Sequence, residues 1–185
     1  MNQNKSHWMP LVTLAAAAGI TPTVVFGADY LSVTQAQKAM FPDATAFVAQ
    51  PVALTDEQRK ALSAQAGTRV NPAQWNVFAA KSGETLLGYV ITDAVIGKFQ
   101  LINYAVAFGT DGAIRDMEIL SYREEHGGEV RTRAWRKQFE GKTGAAPLQL
   151  GMDIQGISGA TMSCSHVTEG VKRIATYVQM VLARK

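Results

Sequence analysis

The chain has 185 residues, of which 47% are hydrophobic and 18% charged. Those are the values of a folded globular chain, and they exclude a disordered one. Lysine and arginine together number 18 against 15 acids, a net charge of +3 with the two signs interleaved, so nucleic-acid binding has no footing.

Residues 1–28 have the plan of a secretory signal peptide. A polar start with Lys5 leads into Pro10 to Phe26, which carries no charge, and small residues Gly27 and Ala28 precede the first acid, Asp29. Cleavage is expected after Gly27 or Ala28. The alternative is an uncleaved membrane anchor, since roughly 17 apolar-to-neutral residues sit at the lower limit for a span. Either way the protein is expected outside the cytoplasm, periplasmic or exported, free or held at the membrane by its leader. The single Cys164 excludes an internal disulfide.

Residues 29–70 form an N-terminal helical and extended segment. Tyr30 to Met40 is expected to be helical, capped by Ser32 or Thr34 and ended by Phe41-Pro42. Thr45 to Leu54 leans towards strand. Thr55-Asp56-Glu57-Gln58 opens a second helix that Gly67 stops. Residues 71–185 then form the main domain. Trp75 to Ala80, Thr85 to Ile96, Phe99 to Phe108 and Ile114 to Ser121 read as strands, separated by turn signals at Lys81-Ser82-Gly83, Ile96-Gly97-Lys98 and Gly109-Thr110-Asp111-Gly112. Connections this short make antiparallel hairpins. The expected fold class is α+β, an antiparallel sheet with helices packed on one side of it.

Two stretches carry chemistry. Tyr122 to Val130 is dense in charge and glycine, and lies between the last strand and a helix-like stretch, Ala134 to Phe139. It reads as a solvated loop, or as a place where Gly127 and Gly128 let backbone approach a flat ligand. Asp153 to Ser163 is rich in glycine and hydroxyls and feeds a helix whose apolar face is Val167, Val171, Ile174, Val178 and Val181. Such a turn offers unpaired N–H groups to a phosphate. It also has the composition of an ordinary turn with a Ser or Thr N-cap. Cys164 reads as a small residue packed at the helix start. A cysteine or serine hydrolase would have only His126 and His166 as bases outside the leader.

Ser158-Gly159-Ala160-Thr161 resembles the flavinylation motif of FMN-binding domains, the family of the C subunit of the Na⁺-translocating NADH:quinone reductase and the G subunit of the Rnf complex. Tyr122, Glu125, Gly127-Gly128-Glu129-Val130, Trp135, Gln138-Phe139 and Gly141-Lys142 resemble the signature that precedes the motif in that family. The position two before the Ser, commonly acidic in the family, is Gly156 here, and the upstream acid is Asp153.

The resemblance implies FMN joined by a phosphoester bond to Thr161, with Ser158, Gly159, Ala160 and Met162 around the phosphate. It places Gly127 and Gly128 along the isoalloxazine and Glu125, His126 or Glu129 at its polar edge. It also implies a flavin transferase for maturation, and a membrane or periplasmic redox protein, quinol- or cytochrome-linked, for turnover. The expected function is an exported electron carrier rather than a stand-alone catalyst. The alternative is a non-redox sensory or accessory module of a membrane complex that binds flavin or another ligand.

Overall fold

A computed structural model describes residues 28–72 and 75–183; the signal peptide expected at residues 1–28 lies outside them apart from Ala28. The elements run β1 (Ala28–Asp29), α1 (Val33–Met40), β2 (Ala46–Gln50), α2 (Asp56–Ala66), β3 (Asn76–Ser82), β4 (Thr85–Ile96), β5 (Leu101–Gly109), β6 (Ile114–Tyr122), α3 (Arg133–Arg136) and α4 (Thr161–Tyr177). Six strands pair antiparallel in the order β1-β6-β5-β4-β3-β2. The fold is α+β, as the strand runs and short turns imply. The N-terminal segment supplies both edges of this sheet, β1 beside β6 and β2 beside β3.

The helices are arranged differently from the expectation. Helices cover both sides of the sheet, not one. Successive strand residues are apolar: Val90 and Ile91, Ala105 and Val106, Ala107 and Phe108, Ile119 and Leu120 are all buried. Because neighbours on a strand point to opposite faces, each face needs a cover. Val90, Ala105, Ala107 and Leu120 pack under Ala36, Met40 and Phe41 of α1 and its exit. Ile91, Tyr104, Val106, Phe108, Met117 and Ile119 join the larger core on the other side, with Leu62 of α2 and Val167, Val171, Ile174 and Val178 from the C-terminal helix. Both N-terminal helices open with capping boxes, on Ser32 with Gln35 and on Thr55 with Gln58. Gly67 closes α2 in the left-handed region, at φ 71°.

Helix α4 has no such cap. Its N-cap is Ala160, which makes no side-chain hydrogen bond to the helix. A missing cap costs about 1 kcal/mol, whereas each fully buried aliphatic side chain contributes about 1.5–3 kcal/mol. Val167, Val171 and Ile174 are all 0% exposed. Packing therefore holds α4, and its first turn is left for other uses.

The irregular segment between α3 and α4 is held by residues of the glycine-rich signature. Trp135 Nε1 donates to the Gln155 carbonyl at 2.8 Å, and the Gln155 N–H donates to Gln138 Oε1 at 2.7 Å. Lys142 pairs with Asp153 at 3.1 Å, and the same carboxylate accepts the amides of Leu148 and Gln149. Trp135 is buried edge-on against Phe139 at 5.1 Å. These side chains brace the run that delivers Ser158 to Thr161. Trp135→Phe loses one hydrogen bond and leaves a void in the core. It is expected to lower stability by about 2 kcal/mol or more, read as a lower denaturation midpoint at unchanged slope.

Candidate functional site

The first turn of α4 opens into a pocket of about 490 Å³, within the size range of small-molecule sites. Three pieces of chain meet there: the β4–β5 turn with Lys98, Phe99 and Gln100, the loop after β6 with Arg123 to His126, and Gly159 to Ser163. Gly159 turns the chain at φ 81°, with nothing within 4 Å of where a Cβ would stand. The Ala160 N–H is spent on the Ile157 carbonyl at 3.0 Å. The amides of Thr161, Met162 and Ser163 occupy the first three helical positions and have no carbonyl partner within the helix. They carry the positive end of the helix dipole. Thr161 is exposed, and its hydroxyl makes no hydrogen bond among the described residues. Neither it nor Ser158 serves as the cap that composition alone allowed.

The pocket walls are fixed by a clamp. Glu124 accepts the backbone amides of Phe99 at 2.7 Å and Gln100 at 2.9 Å, which ties the β4–β5 turn to the loop after β6. Gly97 makes room for it, since a Cβ there would stand 2.6 Å from Glu124 Oε1. From α4, His166 Nδ1 lies 2.6 Å from the Ile96 carbonyl and holds the same turn. Deeper in, the Tyr122 hydroxyl donates to the His126 carbonyl and lies 3.1 Å from Ser163 Oγ.

Partial burial pushes the Glu124 carboxyl up, but the amides of Gln100, Phe99 and Lys98, together with the Lys98 ammonium, outweigh it and hold the group below the usual glutamate range. A depressed carboxyl stabilises the fold above its unfolded value, and the contribution is lost as pH falls through the folded one. The amide resonances of Phe99 and Gln100 are therefore expected to titrate with an inflection below the ordinary glutamate value of about 4.3. In Glu124→Gln they should stay flat.

Of the residues the sequence singled out, Glu125, His126, Gly159, Ala160, Thr161 and Met162 line this pocket. Ser158, Gly127, Gly128 and Glu129 lie in an adjoining depression of about 500 Å³, which shares Glu125, His126 and Gly159 with the first. Gly127 has φ 86°, and a Cβ there would stand 2.4 Å from the Ala160 Cβ and 2.7 Å from the Tyr122 hydroxyl. The backbone approach it permits is to the motif itself. Gly128 begins a short 3₁₀ turn, Gly128–Arg131, and meets nothing. Trp135 is in the core. Lys98, Phe99, Gln100, Arg123, Glu124 and Ser163 were not among the sequence candidates.

Cys164 is fully buried, and burial pushes its thiol up. Among the described residues no hydrogen bond joins it to a histidine, and His166 is engaged with the β4–β5 turn. A cysteine nucleophile has no support here.

An α+β domain with a ligand-sized pocket and, among the described residues, an unengaged hydroxyl at its edge and unpaired helix amides beside it offers the donors that a phosphate-bearing ligand needs. Residues 97–176 match the family model of the FMN-binding domain, and all twelve residues lining the pocket fall within that segment. Over that segment the chain is similar to FMN-binding domains. It is also 30% identical over 139 residues to the C subunit of the Na(+)-translocating NADH-quinone reductase of Vibrio anguillarum, covering 64% of this chain and 51% of that protein. The chain spans about half the length of this curated relative.

Proposed function

We propose that the protein is an exported electron-carrying flavoprotein with FMN esterified to Thr161. The observation that supports this most is the Thr161 hydroxyl itself: exposed, without a hydrogen bond among the described residues, at the mouth of a pocket and beside three unpaired amides. The residues present fit the group. The amides of Thr161, Met162 and Ser163 would hold its phosphate by charge-assisted hydrogen bonds, and Phe99 and Met162 offer apolar surface in the same pocket.

Attachment is a phosphoryl transfer from FAD, assisted by a flavin transferase. The Thr161 oxygen forms a bond to the phosphorus on the riboflavin side, the pyrophosphate P–O bond breaks, AMP leaves, and the hydroxyl proton passes to the transferase or water. The bound isoalloxazine supplies one- and two-electron redox chemistry. The chain's own part is to seat the phosphate, keep the turn and loop in place through Glu124 and His166, and set the charge around the pocket with Lys98, Arg123 and Glu125. Electrons would pass between a membrane redox partner and a periplasmic or extracellular acceptor.

The test is co-expression with and without an FAD-dependent flavin transferase. Yellow colour surviving acid precipitation is expected only with the transferase, and colourless protein under both conditions contradicts the reading. Thr161→Ser keeps a hydroxyl at the same helical position and is expected to retain some attachment, seen as a flavin-bearing fraction between those of wild type and an unmodified chain.

A further inference from the structure

Six large hydrophobic side chains are exposed among the described residues, and four of them lie at the end of the β4–β5 hairpin or on the first turn of α4: Ile96 (61%), Phe99 (73%), Leu101 (50%) and Met162 (47%). Ile96 and Leu101 are cross-strand partners at the end of the β4–β5 hairpin. They do not line the pocket, so a ligand seated there leaves them uncovered. Lys98 stands at the tip of the same turn, its ammonium 4.9 Å from the Phe99 ring centre. An aromatic and aliphatic tip with a snorkelling lysine has the composition of a surface that beds into a bilayer interface.

The path of the chain points the same way. Ala28 pairs with Tyr122 and Asp29 with Ser121, antiparallel, so the chain reaches β1 from the end of the sheet where β6 finishes and β5 begins. That is the pocket end. Arg123, in the pocket wall, is paired with Asp29 at 2.9 Å. The residues just before this entry, Pro10 to Phe26, carry no charge. An uncharged leader therefore joins the domain at the end that carries the apolar rim.

We propose that this rim rests on a phospholipid bilayer, with Phe99, Ile96 and Leu101 in the interfacial layer, Lys98 at the phosphate level, and the pocket opening at the membrane surface. The proposal stands whether or not Thr161 carries flavin.

Because Cys164 is buried, an introduced surface cysteine can be labelled selectively. The full-length chain carrying Gln100→Cys at the turn tip, or Val48→Cys on the far edge strand as control, is labelled with an environment-sensitive fluorophore. It is then reconstituted into phosphatidylcholine–phosphatidylglycerol vesicles containing lipids spin-labelled near the headgroup. The label at 100 is expected to emit at shorter wavelength and to be quenched several-fold more than the label at 48, and adding Phe99→Glu should remove the difference. Equal, water-like emission at both positions overturns the proposal. So does a blue shift at 100 without lipid quenching, which would assign the rim to contact between copies of the chain.

Discussion

Thr161→Ala, made alongside the flavin transferase, is expected to be recovered colourless and at the mass of the unmodified chain, with its thermal unfolding unchanged. The loss should be complete, because no nearby hydroxyl can substitute. Ser163 is buried and lies 3.1 Å from the Tyr122 hydroxyl, and Ser158 faces the adjoining depression. The fold should be indifferent, because Thr161 is exposed, makes no hydrogen bond among the described residues and does not cap α4. Alanine is a better helix former than threonine by a few tenths of a kcal/mol, and surface changes of this kind stay within about 0.5 kcal/mol. Intact mass and a melting curve on one sample separate loss of attachment from loss of fold. A flavin adduct persisting in the alanine variant would place the linkage elsewhere.

Gly170→Ala is expected to have the largest effect on stability. Gly170 lies where α4 crosses the sheet, and a Cβ there would stand 2.0 Å from the Tyr104 hydroxyl, 3.0 Å from its ring carbon and 3.1 Å from Val95. Either α4 lifts or Tyr104 moves. Tyr104 is fully buried and donates to Asp93 Oδ2 at 2.8 Å. Burial first, and then the Asp93 charge, push the phenol far above its ordinary value, so it remains a donor at any physiological pH. Displacing it leaves a buried carboxylate short of its partner. A hydrogen bond to a charged group is worth about 1.5–3 kcal/mol, and the strain of overpacking adds about 1–3 kcal/mol. A loss of about 3 kcal/mol or more should lower the melting temperature by roughly 6–12 °C in a domain of this size. Gly128→Ala, where a Cβ meets open space, is the matched control and should melt within a degree or two of wild type.

The strands were legible because Val, Ile, Tyr and Phe run between glycine-bearing turns, and those turns leave little freedom for the pairing. Residues 85–96 form β4 with both ends as the sequence implied, while the first helix begins at Val33 rather than Tyr30 because residues 28–29 are drawn into a short pairing with β6. The placement of α1 on the far side of the sheet is written in the doubled apolar positions of β4, β5 and β6, a pattern easily taken for simple strand propensity.

The site was half legible. Thr161 could be placed because a 3.6-residue pattern starts just after it. The contribution of Lys98, Phe99 and Gln100 could not, because β4–β5 pairing and the Glu124 clamp bring that turn to α4 from far away in sequence. Glu124 itself escaped notice while its neighbour Glu125 did not. Its partners are main-chain amides, which leave no mark in a sequence. Gly127 shows the converse limit: a glycine announces that something comes close, not what. The signature residues Trp135, Gln138 and Lys142 are bonded to the lead-in of the motif rather than to the pocket. Their spacing follows from bracing Gln155 and Asp153, so that resemblance to a flavin signature is in part resemblance to a scaffold.

Mass spectrometry reads the bond proposed at the Thr161 oxygen directly. Protein made in the presence of the transferase and FAD, digested and fragmented, should show the peptide containing Thr161 heavier by one FMN less one water, with the added mass on Thr161 alone. The same peptide at its unmodified mass throughout, in material that binds no flavin, would rule out attachment at Thr161.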